Sequence, residues 1–331
     1  MTITIGRRSF IALLGMAGLR PFAVRAQQSG GPVIGFLSSV DPVSLKRAVA
    51  AFHQGLDHKG FINGRNVTVT YNWAENHYDR LPALAEDLVQ QRVSVIVTSG
   101  GEPAAFAAKA ATTTIPIVFN TNGDPVRLGL VAGLRQPGGN LTGVSGLETS
   151  AVLARRVSLL RELVPSCELF GFLANGKNVN TETDISDARA QAQSKGQRLV
   201  VEMVGDDRNL DAAFAALAQQ RVGGMLVQSD PFFTSSRVAL AELAARYAIP
   251  AIYARHEIAD AGGLISYGWR IGNSYWLQGV YAGRILKGEK PAGMVITQPT
   301  QFDLVVNLKT AKALAIHVPD KLLIRADRVI Q

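Results

Sequence analysis

A single cysteine, Cys167, stands in the 331 residues, so no disulfide can form within the chain. Cys167 itself is expected as a small buried apolar residue. Histidine is also scarce. The five, at positions 53, 58, 77, 256 and 317, are scattered, and His53 and His58 are five apart, the wrong spacing for one helix face. With no His-Glu-x-x-His run and no cysteine cluster, no metal site is expected. Neither Gly-x-x-x-x-Gly-Lys-Ser/Thr nor a Gly-x-Gly-x-x-Gly after the first strand occurs, so ATP and dinucleotides lose their usual support and no cofactor is assigned. Gly143-Val144-Ser145-Gly146 lacks the spacing of a serine-nucleophile elbow, and one cysteine cannot supply the two thiols of a racemase built on paired lobes. No catalytic residue is assigned. Charged residues are 18% and apolar ones 47%, a balance that excludes disorder and a membrane-embedded chain.

Only the first 26 residues differ in character. Arg7-Arg8-Ser9-Phe10-Ile11 opens a short apolar run ending at Leu19, and Val24-Arg25-Ala26 places small residues at a cleavage position. This is the pattern of an export signal of twin-arginine type, cleaved near Ala26. The run is shorter than the ~20 residues of a spanning helix. The formal charge of +8 falls to +4 once the four arginines of this segment are set aside. No basic stripe with interleaved aromatics follows, so nucleic acid is not an expected partner. Ala26-Gln27-Gln28 offers no cysteine just after the signal to carry a lipid, and a periplasmic, soluble mature protein is expected.

What is present is a repeat. Gln90-Gln91-Arg92-Val93, an apolar run, Thr98-Ser99-Gly100 and Ile115-Pro116-Ile117 recur as Gln219-Gln220-Arg221-Val222, an apolar run, Gln228-Ser229-Asp230 and Ile249-Pro250-Ala251. Gly35-Phe36-Leu37 likewise matches Gly171-Phe172-Leu173. Short Val/Ile/Leu runs with little polar alternation read as parallel strands covered on both faces. They are expected over 33–37, 67–71, 93–97 and 117–119, then over 169–173, 199–203, 224–227, 251–253 and 262–266. Helical patterns lie between them, over 45–59, 80–91, 103–112, 151–163, 183–195, 209–220, 235–247 and 272–287. In the helix over 80–91, Leu81, Leu84, Ala85 and Leu88 make one apolar stripe. Alternation of this kind implies right-handed βαβ units and a doubly wound parallel sheet in each half, an α/β protein of two Rossmann-like (flavodoxin-like) lobes.

The first lobe is expected to close at the turn-rich Gly138-Gly139-Asn140-Leu141-Thr142-Gly143. A strand-like tail, 295–306, belongs to neither copy and implies more than one crossing between lobes. The expected division is 32–145 with 267–290 for the first lobe and 146–266 with 294–331 for the second. Asp41-Pro42, Asp124-Pro125 and Asp230-Pro231 each read as an N-cap followed by a first-turn proline. They would aim three helix N-termini at the carboxyl edge of a sheet, where ligands bind in open α/β folds.

Candidate ligand-binding residues follow from that edge. Ser38 ends the first strand, and Ser99, Gly100 and Gly101 precede a helix whose free N–H groups suit a carboxylate, although any tight βα turn also favours glycine. Asn120 and Thr121 lie at the next strand end, with Asp124 beyond as a cap or an ammonium partner. In the second lobe the matching positions are Asn175, Asn178, Ser229, Asp230, Tyr253 and Tyr267. Phe232 follows Asp230-Pro231 and either stacks on a planar ligand or packs under its loop with Phe233. Trp73 and Tyr78 carry the same ambiguity.

Gly60-Phe61-Ile62-Asn63-Gly64-Arg65-Asn66-Val67, Tyr71-Asn72-Trp73-Ala74-Glu75, Tyr78-Asp79-Arg80-Leu81-Pro82 and Pro137-Gly138-Gly139-Asn140-Leu141-Thr142-Gly143 resemble the ABC-transporter substrate-binding proteins of the tryptophan/tyrosine-uptake type. Ala282-Gly283-Arg284-Ile285-Leu286-Lys287-Gly288 adds to the set, which spans nearly the whole mature chain. The resemblance implies a type I periplasmic binding protein fold, three connecting segments, and a small solute enclosed by hinge closure. It also implies an ABC permease and ATPase as partners, with a monomeric receptor. Relatives often carry Asn-Pro where this chain has Asn175-Gly176-Lys177-Asn178, so the ligand is not inherited with the fold. A DNA-binding regulator on the same fold is excluded by the export signal in place of a helix-turn-helix. A sensor feeding a signalling partner stays open, as does an exported enzyme using Asp124 or Asp230.

Overall fold

The computed structural model describes residues 31–146, 148–269, 274–298 and 301–331. The export-signal reading therefore lies outside the described residues. The strands are β1 (Val33–Ser38), β2 (Thr68–Trp73), β3 (Val95–Ser99), β4 (Ile117–Thr121), β5 (Leu141–Ser145), β6 (Leu169–Asn175), β7 (Arg198–Val204), β8 (Gly224–Val227), β9 (Ala251–Tyr253), β10 (Ile265–Trp269), β11 (Phe302–Asn307) and β12 (Arg328–Ile330). The helices are α1 (Lys46–His58), α2 (Leu81–Gln90), α3 (Glu102–Ala111), α4 (Ser150–Leu163), α5 (Thr181–Gln193), α6 (Leu210–Gln219), α7 (Pro231–Ser235), α8 (Arg237–Arg246), α9 (His256–Asp260), α10 (Ser274–Leu286), α11 (Leu308–Ala313) and α12 (Asp320–Arg325).

Two sheets result, one of five strands in the order β2-β1-β3-β4-β5 and one of seven in the order β12-β11-β10-β9-β8-β6-β7. Every pairing between strands is parallel except β10 with β11. The expected pair of doubly wound α/β lobes is what forms, because β3, β4, β5 and β8 are buried along their whole length. Continuous apolar runs of that kind need helices on both faces. Ile34, Phe36, Phe52 and Tyr281 fill one face of the first sheet, and Leu37, Leu88, Ile96 and Phe119 fill the other. Fully burying a side chain of this size contributes about 1.5–3 kcal/mol.

The late helix α10 packs on the first sheet, not on the second that precedes it. Gly55 of α1 and Gly279 of α10 permit this, since a Cβ on either would collide with the backbone of the other helix. The chain thus crosses between the sheets after β5, between β10 and α10, and between Thr297 and β11.

Several boundaries differ from the sequence reading. β5 occupies the segment read as a turn, because its Cα partners on β4, from Ile117↔Leu141 to Thr121↔Ser145, make it the fifth strand. Residues 267–269, expected with the first lobe, belong to β10 of the second sheet. Met294 and Ile296, expected with the second lobe, pack into the first-lobe core, and Thr297 bridges Val144. Of the three Asp-Pro junctions only Asp230-Pro231 starts a helix. Asp41 accepts from Ser44 N at 2.9 Å ahead of a helix that begins at Lys46, and Asp124 caps a non-helical turn through Val126 N at 2.8 Å.

Candidate functional site

The carboxyl edges of the two sheets face each other and touch. Tyr78, after β2, donates its hydroxyl to Asp230 Oδ1 at 3.0 Å. Asn122 Nδ2 donates to Ser229 O at 3.4 Å, and Arg127 reaches Asp187 Oδ2 of α5 at 3.3 Å through both terminal nitrogens. Gly101, at φ +80°, lies under Pro231, so an added Cβ would sit 3.2 Å from the proline ring of the opposite lobe.

Asp230 organises the second-lobe side. Its carboxylate accepts from Asn175 Nδ2 (3.1 Å), Asn178 Nδ2 (2.6 Å), Phe232 N (2.8 Å) and Tyr78. All four donors are neutral. Burial pushes the Asp230 carboxyl up from its ordinary value despite these bonds, and the Tyr78 phenol is pushed up by burial and by the charge of Asp230. Asn175 is fixed in turn, its N–H donating to Gln228 Oε1 at 2.7 Å and its Oδ1 accepting from Lys177 N at 3.0 Å.

Behind the seam lies a cavity of about 430 Å³, lined by Glu102, Phe106, Asn122, Asp124 and Arg127 on one side and by Glu148, Asn178, Asp184 and Ser229 on the other. Its ionisable lining is mostly carboxyl, Glu102, Asp124, Glu148 and Asp184 against Arg127. Glu102, at the start of α3, accepts from Asn122 N (2.8 Å) and Gly123 N (2.6 Å), yet burial keeps its carboxyl above the usual range. Asp184 of α5 is pushed up to about 7 by burial, with the charges of Glu148 and Glu102 adding to it and Gln228 and Arg127 opposing. Glu148 is held by Arg156 through two bonds of 2.5 and 2.8 Å. Carboxylates gathered in a small cavity are suited to a protonated amine. A wider groove of about 760 Å³ runs past Cys167 at the amino ends of β6 to β8. It is lined from the second lobe alone and is remote from the strand ends that face the first.

The sequence-derived candidates separate into four groups. Gly101, Asn175, Asn178, Ser229 and Asp230 meet at the seam. Asp124 lies on the cavity wall while capping its own turn. Ser38, Ser99, Gly100, Asn120 and Thr121 are buried just behind the edge and satisfied within the first lobe. Ser38 bonds Val40, Ser99 donates to Tyr275 Oη at 3.1 Å, Asn120 to Ser274 Oγ at 3.2 Å and Thr121 to Gly123 O. Gly100 has no room for a Cβ against Ser39.

Three candidates face elsewhere. Phe232 is buried with Phe233 in the second-lobe core, ring centroids 5.2 Å apart, because the short helix α7 turns both rings under itself. Tyr253 is wholly buried in the same core, its ring closing on Gly263. Tyr267 stacks on Phe302 of β11 at 5.7 Å, away from the seam. Trp73 stacks on Tyr71 and packs with Phe36, which leaves Tyr78 as the aromatic side chain of that pair at the seam.

Sequence reasoning did not select Asn122, Glu102 and Asp184, which line the cavity. Glu102 was legible as an acid opening a helix after a Gly-Gly turn. Asp184 carried no local signal, since it is one polar residue of a polar helix.

With this geometry in hand, comparison with known proteins is direct. The family model for ABC transporter substrate binding protein matches residues 33–330, and the chain belongs to that family. A tyrosine-binding protein of Clostridioides difficile is 25% identical over 281 residues, which cover 85% of this chain and 80% of that protein. A Streptococcus pneumoniae ABC domain in complex with L-Trp superposes with a TM-score of 0.82 at 24% identity, covering 91% of this chain and 100% of that one. The ligand-free, open structure of a Clostridium difficile substrate-binding protein with adhesive properties gives 0.63 at 24% identity, covering 91% and 99%. The fold is that of the type I periplasmic binding proteins, and the protein is an ABC transporter substrate-binding protein. Among the described residues no helix is long and apolar enough to cross a membrane.

Proposed function

We propose that this protein captures a small amine-bearing solute, of the size of an aromatic amino acid, between its two lobes and presents it in the closed form to an ABC permease. The lobes are 32–146 with 274–298 and 148–269 with 301–331. The mature chain acts after export, in the periplasm, as a monomer, and leaves the solute chemically unchanged. The observation that carries this reading is the acidic cavity of about 430 Å³ built from both lobes. A site made of two halves exists only when the lobes meet, so ligand binding and closure are one equilibrium.

The greater likeness to an L-Trp complex than to an open, ligand-free relative supports a closed arrangement here. So do the three contacts across the seam, Tyr78 to Asp230, Asn122 to Ser229 and Arg127 to Asp187. A ligand bound by one relative and named for another makes L-tryptophan and L-tyrosine the first solutes to try. The test is calorimetry and small-angle scattering of the mature chain with L-tyrosine, L-tryptophan and benzoate. Heat and a decrease in radius of gyration are expected for the amino acids and not for benzoate, which has no amine for the acidic wall. No heat and no contraction with any amino acid would sink the reading.

A further inference from the structure

Two buried donors at the ends of β9 and β10 have no acceptor among the described residues. Arg255, two residues past β9, is 4% exposed, and Trp269, which ends β10, is 3% exposed. The guanidinium carbon lies 5.1 Å over the indole centroid. Arg255 Nη1 reaches Trp269 O and Nη2 reaches Glu257 Oε1, each at 3.3 Å, while Nε has no partner. The indole Nε1 is equally buried and equally unpartnered. Native interiors rarely leave such groups unpaired, and an exception in a binding protein points to an absent acceptor.

Both side chains stand where the lobes meet. The indole fills the space that Gly146 leaves, since a Cβ on that residue would fall 2.6 Å from Nε1 and 2.7 Å from Asn122 O. The charge of Arg255 reaches Tyr275, whose hydroxyl accepts from Ser99 in the first lobe. The groups facing Arg255 are few. Burial alone would raise the Glu257 carboxyl, but Arg255 and then His256 hold it at about 2, so the pair is ionised without ligand. Glu257 occupies only the Nη2 end of the fork, at a long distance, and its Oε2, 3.4 Å from His256 Nδ1, makes no hydrogen bond. The Nε edge is left over, and a guanidinium edge is the best protein match for a carboxylate.

We propose that Arg255, stacked on Trp269, receives a carboxylate of the captured solute, which makes the solute an amino acid and not a simple amine. This rests on the receptor reading above and adds a second pole to it, with the acidic cavity taking the amine and the Arg255–Trp269 stack taking the acid.

The experiment compares L-tyrosine with tyramine and L-tryptophan with tryptamine by calorimetry on the mature chain. Each amino acid is expected to bind about 10- to 100-fold tighter than its decarboxylated partner, the range for a charge-assisted bond to a buried group. Arg255→Gln combined with Glu257→Gln leaves no unpaired buried charge. It should close that gap while leaving the amines' affinities within about twofold, a margin set by ordinary non-additivity. Arg255→Lys, with its charge kept and its fork lost, should fall between. Amines that bind the unaltered protein as tightly as the amino acids overturn the inference and leave the receptor reading standing. So does a double variant that weakens both classes by one factor, which marks Arg255 as purely structural. Silence from all four compounds overturns the receptor reading and this inference with it.

Discussion

Two carboxylates of the second lobe, the buried Asp230 and the half-buried Glu257, follow neighbouring strands of one sheet and are held in opposite ways. Asp230 is ringed by four neutral donors, and burial still pushes its carboxyl up. Glu257 has fewer hydrogen bonds but lies beside the Arg255 guanidinium and the His256 imidazole, and it is driven down to about 2. At Asp230 four neutral donors lower the carboxyl without offsetting its burial, whereas at Glu257 the charges of Arg255 and His256, with its hydrogen bonds, outweigh it. Asp230 therefore builds the seam and Glu257 keeps an arginine ready.

The largest expected effect comes from breaking the charged member of this comparison. Glu257→Gln leaves Arg255 buried without a counter-charge and should cost about 3–5 kcal/mol in chemical denaturation. The same pair sets an acid limit. The folded carboxyl titrates below its ordinary 4.5, so its contribution is complete above that pH and is lost as pH falls toward 2. Absence of any acid-limb difference between Glu257→Gln and the unaltered protein would remove the ion pair from the account.

Next comes Asp230. Asp230→Ala orphans Asn175, Asn178 and Tyr78 together and should cost about 2–4 kcal/mol, while Asp230→Asn, which mimics the protonated acid, should cost about 1 kcal/mol. Equal costs would mean that the charge matters as much as the geometry.

Asp184 sharpens the contrast further, because among the described residues no cation pairs directly with its carboxyl, which burial pushes up to about 7. The folded protein binds the extra proton between pH 3.8 and about 7, so stability falls as pH rises through that window, by at most about 1.4 kcal/mol per unit. Asp184→Asn should flatten this slope in melts across pH 4 to 7.5.

The smallest effect is expected at the rim. Arg127→Ala removes the half-exposed bridge to Asp187 and should change stability by about 0–1 kcal/mol. A loss of several kcal/mol would show that the rim, not Asp230, holds the lobes together.

Particular residues show how far the sequence could be read. Asp230 and Asn175 were legible because each stands at a strand end in a repeated βα unit, and that edge is fixed by local pattern. Phe232, Tyr253 and Tyr267 stood at comparable ends and turned inward or sideways. Which way a residue faces at a strand end depends on the helix or strand packed beside it, as α7, Gly263 and Phe302 show. β5 was hidden in glycines that read as a turn, and it became a strand only through pairing with β4.

Apolar period, turn residues and internal repeat pointed to two α/β lobes and to their carboxyl edges, while the longer motifs, such as Gly60 to Val67 and Pro137 to Gly143, carried the family resemblance. Partnership across the seam is long-range. Tyr78 meets Asp230 across 152 residues and Asn122 meets Ser229 across 107, and no local pattern encodes such encounters. Burial of each carboxylate, and so its charge state, was decided by the tertiary structure, because desolvation depends on everything that surrounds a group and not on its neighbours in the chain.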